Sequence, residues 1–408
     1  MSTQWKKVTV GEIAEVKGGK RLPKGKLVQD EPTPFPYLRV TDFGDNGLDT
    51  SAIKYIDEDA QSKVSRYTIT NRDIYISIAG TIGRVGIVPA KFSGANLTEN
   101  AAKICEIHPH VDERFLMYFL RTENGQGQIA GLTVGTSQPK LALFRIKEIE
   151  ISLPDLPTQR KIAGILSAYD DLIENNLRRI KILEQMAQSL YREWFVHFRF
   201  PGHESAKFVD SALGQIPTGW EVKAISDFAK VVTGKTPSKA NEDFFGEDIP
   251  FLKTPDMHGQ MFILRTNEYL STAGAQSQAN KTLPVGSICV SCIGTIGVIS
   301  ITTEPCQTNQ QINSVVLADE ASREFLFFWL REAKQMLENL GSNGATMGNV
   351  NKSKFEGMKL VCPIDDLLAR FHSLAEPMFE QIERLFRKIQ NLRQTRDLLL
   401  PKLLSGEK

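Results

Sequence analysis

The sequence has no excess charge of one sign, no membrane-type helical run and little cysteine. Lysine plus arginine number 49 against 48 acidic residues, a net charge of +1. A charge that small creates no global field toward nucleic acid or a membrane surface, so DNA binding would have to come from local patches. Five cysteines in 408 residues read as reduced intracellular thiols rather than a disulfide framework. The N-terminal MSTQWKKVTVGEIAEV has neither an apolar core nor a cleavage site, which argues against secretion and makes the cytoplasm the expected location. Leu283 to Thr303 is 21 residues without a charge, but Pro284, Gly286, Gly294, Gly297 and its β-branched content fit buried strands and turns. An apolar fraction of 41% and a charged fraction of 24% exclude a disordered or collagen-like chain. At about 100–200 residues per domain, the length suits two or three domains.

Catalytic signatures are also missing. Gly125-Gln-Gly127-Gln-Ile-Ala130 has the letters of a dinucleotide fingerprint, yet it follows a helical run and not a strand. Thr233-Gly234-Lys235-Thr236 resembles the end of a phosphate-binding P-loop, but Ala229 stands where the first glycine belongs. Cys289-Val-Ser-Cys292 has zinc-ligand spacing without a second pair, and in a strand residues three apart point to opposite faces. His108-Pro-His110 lacks neighbouring carboxylates or cysteines and reads as a solvated turn. No Gly-x-Ser-x-Gly elbow occurs, nor an Asn-Pro-Pro-aromatic or Asp-Pro-Pro-Tyr tetrapeptide of the amino-group methyltransferase type. The expectation is a non-catalytic chain with no metal site.

What the sequence does contain is a duplicate of itself. Trp5 to Arg21 matches Trp220 to Thr236 at an offset of 215, and Tyr37 to Asp42 matches Phe251 to Asp256 at 214. Ile74-YISIAGTI-Gly83 matches Ile288-CVSCIGTI-Gly297 at 214, Phe115 to Leu120 matches Phe325 to Leu330 at 210, and Leu153-Pro154 matches Cys362-Pro363 at 209. An offset that drifts by a few residues in unchanged order indicates duplication with loop deletions. At about 200 residues, each copy is far longer than a solenoid unit, so two domains are expected. Short β-branched runs, glycine turns and one aromatic-rich helix predict a mixed α/β or α+β class for each.

Each copy ends in a helical stretch. Apolar residues recur at Ile162, Leu166, Tyr169, Ile173, Ile180, Leu183, Ala187, Leu190 and Trp194, with Asn176 as the one polar seam position. The second seam runs Phe371, Ala375, Met378, Ile382, Leu385, Ile389, Leu392, Arg396, Leu399, Leu403, and every member of the first maps onto it at an offset of 209. Alternating spacings of four and three with charged flanks predict two long helices forming an antiparallel coiled coil. The alternative is that each packs on its own domain, because heptads also occur on bundle helices. A lone polar seam residue such as Asn176 sets register, and Pro377 is expected to restart or kink the second helix. At 1.5 Å per residue such helices are about 50–60 Å long. The expected boundaries are domains at 1–157 and 219–365, helices at 158–200 and 366–408, and a proline-bounded linker at 201–218.

Matched polar and cationic residues are the candidate DNA contacts. Lys20, Arg21 and Lys24 lie in a Gly-Lys-rich loop whose counterpart holds Lys235, Thr236 and Lys239. Glycine permits close backbone approach to a phosphate, and lysine or arginine neutralises it; the same residues also suit a solvated loop. Arg39 and Lys253 form a second matched pair, with ion pairs to Asp42 and Asp256 as the alternative. The polar loops Gly135–Lys140, with Gln138 and Lys140, and Ser342–Asn349, with Asn343, Thr346 and Asn349, carry groups able to reach base edges but are also ordinary turn residues. Gly80-Thr-Ile-Gly83 and Gly294-Thr-Ile-Gly297 read as tight turns.

Several stretches carry a family resemblance. Leu153-Pro154-Asp-Leu-Pro157-Thr-Gln159 enters the first helix and Leu190-Tyr-Arg-Glu-Trp194-Phe-Val-His-Phe198 leaves it. Leu213-Gly-Gln-Ile-Pro-Thr-Gly-Trp220 opens the second copy, and Leu399-Leu-Pro-Lys-Leu-Leu-Ser-Gly-Glu407 closes it. Together with the duplication they resemble the DNA-specificity subunit of type I restriction–modification systems. One departure is that Asp366 to Leu368 lacks the proline–glutamine helix entry, which leaves the start of the second helix open.

The resemblance implies two target-recognition domains reading the halves of a bipartite DNA site, with the helices as spacer and dock. It implies as partners double-stranded DNA, two modification (methyltransferase) subunits and restriction/translocase subunits. S-adenosylmethionine, ATP and Mg are then expected on those partners and no cofactor on this chain. Residues 1–157 carry 20 basic and 19 acidic side chains, residues 219–365 carry 13 and 16; unlike copies imply an asymmetric target. The alternatives are a stand-alone DNA-binding or regulatory protein, and a coiled-coil scaffold without a methyltransferase partner. Co-purification with a methyltransferase separates them.

Overall fold

The computed structural model describes residues 5–44, 47–135, 137–342 and 348–405. The chain forms two compact units, one made of residues 1–174 with 391–408 and the other of 175–390.

In the first unit, the chain enters on Lys6–Thr9, which pairs antiparallel with Glu150–Leu153, the strand that leads into the first long helix. Between them lie two four-stranded sheets. One is antiparallel, in the order Glu15–Gly18, Ala101–Cys105, Ile74–Ser77, Val85–Ile87. The other has the order Lys54–Tyr55, Pro36–Leu38, Ala95–Leu97, Thr68–Ile69, with Pro36–Leu38 and Ala95–Leu97 parallel. The strand Ile74–Ser77 is buried at every position, as a continuous apolar run covered on both faces should be. Helix Glu113–Arg121 starts at Asp112, whose carboxylate accepts from the amides of Arg114 and Phe115 at 3.1 Å. Phe115 through Leu120 are all buried, so this helix lies inside the core rather than on it.

The second unit repeats the plan. Glu221–Ala224 pairs with Lys359–Cys362. A five-stranded sheet runs Ala229–Thr233, Ile312–Leu317, Ile288–Ser291, Ile299–Thr302, Phe262–Ile263, and a four-stranded one runs Phe245–Gly246, Glu268–Leu270, Ile249–Leu252, Gln307–Thr308. The parallel pair recurs as Ile249–Leu252 beside Gln307–Thr308, and the buried helix as Arg323–Glu332. The uncharged stretch Leu283–Thr303 supplies two of these strands and a turn. Among the described residues no helix is long and apolar enough to cross a membrane.

The two long helices run Leu156–Tyr191 and Asp365–Leu404. In the first unit Arg396 binds Asp170 at 2.6 Å, and Leu399, Leu403 and Leu404 share a core with Ile162, Ala163 and Leu166. In the second unit Tyr191, Trp194 and Phe195 pack their rings on Phe371. Within the first unit the helices therefore run antiparallel. Leu166, Ile173, Asn176, Ile180, Ile382, Leu385 and Ile389 are buried, while Leu183, Leu190, Leu392 and Leu399 are half-buried.

Three features depart from expectation. The first helix is α-helical only to Tyr191 and closes in a π-turn at Arg192–Val196. The wider turn lets the adjacent Trp194 and Phe195 both face inward. Pro377 does not restart the second helix, which is continuous from Asp365. Phe371, Ala375, Phe379 and Ile382 are buried on one face around it, and that packing outweighs the hydrogen bond proline removes. Asp365 and Asp366 in the first turn favour the start there. Finally, the segment 201–218 holds a hairpin, Phe208–Ser211 with Gly214–Pro217. Phe198 packs edge-on and Phe200 tilted against Trp220 beside it, a contact that polar, proline-bounded composition does not announce.

The motif entering the first helix has a local cause. Gln159 is buried, accepts from the Asp112 amide at 2.9 Å and donates to the carbonyls of Pro154 at 2.8 Å and His110 at 3.1 Å. One side chain thereby ties the helix start to the capped start of the buried helix.

Candidate nucleic-acid interface

In each unit, one end of the sheet that holds Glu15–Gly18 or Ala229–Thr233 gathers the loops that hold the candidate residues. In the first, Glu15–Gly18 ends at Gly19, whose amide donates to Ala101 O at 2.9 Å, and Lys20 N donates to Leu97 O at 2.8 Å. A Cβ on Gly19 would lie 2.0 Å from the Thr98 carbonyl oxygen, so only glycine fits. The second unit repeats this: Lys235 N donates to Thr308 O at 2.9 Å, and a Cβ on Gly234 would lie 2.1 Å from Asn309 O. The glycines serve close approach of two protein segments. The amides of Gly19, Lys20, Gly234 and Lys235 are engaged by protein carbonyls, which corrects the reading that they cradle phosphate.

Around this end the other loops converge. The carbonyl of Asn100 accepts from Ile78 N at 2.8 Å and Ala79 N at 3.3 Å, and Thr98 N donates to Leu38 O at 3.1 Å. Ala79 forms a β-bridge to Lys140, as Ile293 does to Asn349. Lys20, Arg21, Arg39 and Lys140 thus attach to one set of neighbouring strand ends, and Lys235, Thr236, Lys253 and Asn349 to its counterpart. The intervening turns have left-handed glycines at Gly80, Gly83, Gly294 and Gly297, as tight turns require.

The side chains differ in how free they are. Lys20 Nζ lies 5.8 Å from the Tyr67 ring centroid. Arg21 Nε donates to Glu99 Oε1 at 2.6 Å, a partner that raises the guanidinium's pKa. Lys24, Gln138, Lys140, Lys235 and Lys239 are exposed. Thr236 Oγ1 donates to Gln310 Oε1 at 2.7 Å. Arg39 is held by Asp42 at 2.7 Å and by the Ala52 carbonyl at 3.1 Å, so the ion-pair alternative is realised there. Lys253 Nζ pairs with Glu268 instead of Asp256, whose carboxylate accepts from the Lys253 amide at 2.9 Å and from Asn267 Nδ2 at 2.6 Å. Asn343 and Thr346 lie outside the described residues.

No group of histidine, cysteine and carboxylate side chains among the described residues could hold a metal. Burial pushes the Cys289 thiol up to about 12 and the Cys292 thiol up to about 11, which makes both poor ligands and nucleophiles at neutral pH.

The family model described as the type I restriction modification DNA specificity domain matches residues 2–185 and again 217–367. The chain belongs to this specificity family. Each match takes in one copy of the duplicated plan. Similar curated proteins include the type I restriction enzyme HindI specificity subunit of Haemophilus influenzae, 35% identical over 66% of this chain and 71% of that one. The MjaIX specificity subunit of Methanocaldococcus jannaschii is 26% identical over 99% of this chain and 93% of that one. The crystal structure of the type I restriction–modification S subunit from M. genitalium shares the fold, with a TM-score of 0.62, 16% identity and coverage of 99% and 97%.

Within this specificity-family fold, sequence reasoning missed three contributors. Glu99 and Gln310 occupy equivalent positions, each beside the start of an inner strand, and each holds a candidate side chain. Arg66, exposed, lines a cleft of about 270 Å³ with Lys17, Tyr67, Leu97 and Lys103. Nothing local marks these residues, because strand order and not chain proximity brings them to the loop.

Proposed function

We propose that the chain is the DNA-specificity subunit of a type I restriction–modification complex, non-catalytic itself and acting in the cytoplasm. Residues 1–157 and 219–365 each read one half of a bipartite site. The observation that carries this reading is the repeated sheet end with unlike side chains. Lys20, Arg21, Glu99 and Lys140 in one copy stand where Lys235, Thr236, Gln310 and Asn349 stand in the other. Similar scaffolds with different polar groups suit two different half-sites, and hence an asymmetric target. Lys24, Gln138, Lys239, Asn343 and Thr346 belong to the same candidate set.

The remaining machinery resides on partners. Two modification subunits supply S-adenosylmethionine and adenine methylation, and restriction/translocase subunits supply ATP- and Mg-dependent translocation and cleavage. The first long helix leaves apolar residues exposed, Ile165 and Leu172 in the first unit, Ile182 and Met186 in the second. These are the seats we assign to the modification subunits. Near-neutral charge implies weak DNA binding by the chain alone. The test is a methylome of cells carrying the complex. Exchanging residues 1–157 for those of a relative should change one half of the methylated sequence only. A complex that forms yet methylates all sequences alike defeats the proposal.

A further inference from the structure

The first unit contains a cleft of about 730 Å³ that the base-reading loops do not explain. Its walls are the turn Thr81–Val85, the helix residues Tyr118 and Arg121, and the last turns of the second long helix, with Arg393, Arg396 and Leu400. Three of its arginines are accounted for. Arg84 is engaged. Arg121 donates to Val85 O at 2.9 Å. Arg396 binds Asp170 at 2.6 Å and Asp397 at 2.8 Å. Arg393 is different: half-buried, with Nε shielded from solvent, it has no hydrogen-bond or ion-pair partner among the described residues. Burial and the neighbouring Arg396 lower its pKa, against a smaller opposing pull from Asp397.

The duplication supplies an internal control. At the offset of 209 that relates the helices, Arg393 corresponds to Glu184. Glu184 lines the equivalent cleft of the second unit, about 250 Å³, with Gly297, Ile299 and Arg331. There it faces Arg331 at 3.7 Å, the counterpart of Arg121. The second cleft neutralises its own arginine. The first answers Arg121 with Asp170 at 3.9 Å and places a guanidinium, Arg393, where the second has its carboxylate.

We infer that the first-unit cleft binds one backbone phosphate of the DNA, with Arg393 as the neutralising contact. Of the arginines on its walls, Arg393 is the one with no hydrogen-bond or ion-pair partner among the described residues. The cleft is also continuous with the candidate interface: Thr81 to Val85 follow Ala79, which bridges to Lys140. A half-buried arginine without an acceptor carries a desolvation cost that a charge-assisted hydrogen bond to phosphate offsets. The second unit, self-neutralised, makes no such contact, so the phosphate clamp is one-sided. This inference rests on the DNA-specificity reading above.

The experiment measures binding of a target duplex by the full chain, in complex with its modification subunits, across a salt series. Arg393→Gln should reduce the slope of log affinity against log salt by about 0.9 and weaken binding about five- to tenfold near 0.1 M salt. The preferred sequence should be unchanged, because phosphate contacts position without specifying. Arg393→Lys should keep the slope. Arg393→Met, which retains the aliphatic stem, replaces the glutamine variant if that one fails to fold. Neutralising the phosphates singly as methylphosphonates should reveal one position that costs the wild type the same factor and the variant nothing further. An unchanged slope, or no such position, overturns the cleft assignment while leaving the specificity reading intact. Absence of sequence-specific binding by the wild-type complex overturns both.

Discussion

Arg21 and Glu99 are joined at 2.6 Å across 78 residues of sequence, and the equivalent positions in the second copy, Thr236 and Gln310, are joined at 2.7 Å. A charged pair in one copy is replaced by a neutral one on the same scaffold. Removing either should therefore alter one half of the target. Arg21→Ala is expected to relax discrimination in one half-site by about 1–3 kcal/mol, the value of a good base contact, and Thr236→Ala in the other. Methylation of half-site variants measures both, and an equal effect on both halves would contradict the assignment.

Gly19 and Gly234 tolerate no side chain. A Cβ would meet backbone oxygens at 2.0 Å and 2.1 Å, and backbone cannot swing aside as a side chain can. Alanine at either position should cost about 1–3 kcal/mol, the usual penalty for overpacking, read as a lower urea midpoint. Alanine at Gly127, which has open space around it, is the control.

Asn176 is the buried polar member of the first helical seam, and its Nδ2 has no partner among the described residues. Asn176→Leu removes a desolvated donor and matches Leu385, its counterpart at the same seam position. Stability should rise by roughly 1–2 kcal/mol, since an unsatisfied buried group costs about that much. Urea unfolding of the full chain measures it.

Glu324 is fully buried, between Arg323 at 2.9 Å and His372 at 2.6 Å, with Glu376 on the far side of the imidazole at 3.3 Å. Truncating the carboxylate takes away the nearest acceptor of both Arg323 and His372 and leaves them only Glu376, at 3.5 Å and 3.3 Å. Glu324→Ala should destabilise by about 3–5 kcal/mol, as breaking a buried pair does. Exposed pairs such as Arg384 with Glu380 should contribute less than about 1 kcal/mol. Thermal melts of Glu324→Ala and Glu380→Ala separate the cases.

All five cysteines are free and buried, and thiolate is the reactive form. With Cys289 pushed up to about 12 and Cys292 to about 11, native protein at pH 8 should take up thiol reagent on the timescale of opening. Raising the pH toward those values increases the thiolate fraction and the rate. Unfolded protein should react at once at all five.

If the helices set the distance between half-sites, lengthening both by one heptad should lengthen the preferred spacer and leave the half-sites intact. Seven residues add about 10 Å at 1.5 Å per residue. Methylation across a spacer series reads the outcome, and an unchanged optimum would refute the ruler.

Much of this protein is written in local pattern. The duplication is visible because Trp5 and Trp220, Gly80 and Gly294, and Leu153-Pro154 and Cys362-Pro363 keep their order. The seams are visible because helical periodicity is a property of neighbours in the chain. Ile173, Ile180, Ile382 and Ile389 are accordingly buried where spacing placed them. Pro377 was legible as a break but not as a tolerated one, since the packing that holds it comes from residues beyond its own turn. The hairpin at 208–217 was hidden by its polar composition.

By itself, then, the amino-acid sequence determined the two-copy plan, the two long helices and the absence of a recognisable catalytic motif. Each of these depends on residue order or on spacing within one element. Only the tertiary structure decided that Arg21 meets Glu99, that Arg39 is tied to Asp42 while Lys253 turns to Glu268, and that Arg393 stands without an acceptor among the described residues. The physical reason is that an ion pair depends on distance in space. That distance is set by which strands adjoin, and strand order leaves no mark in the spacing of residues along the chain.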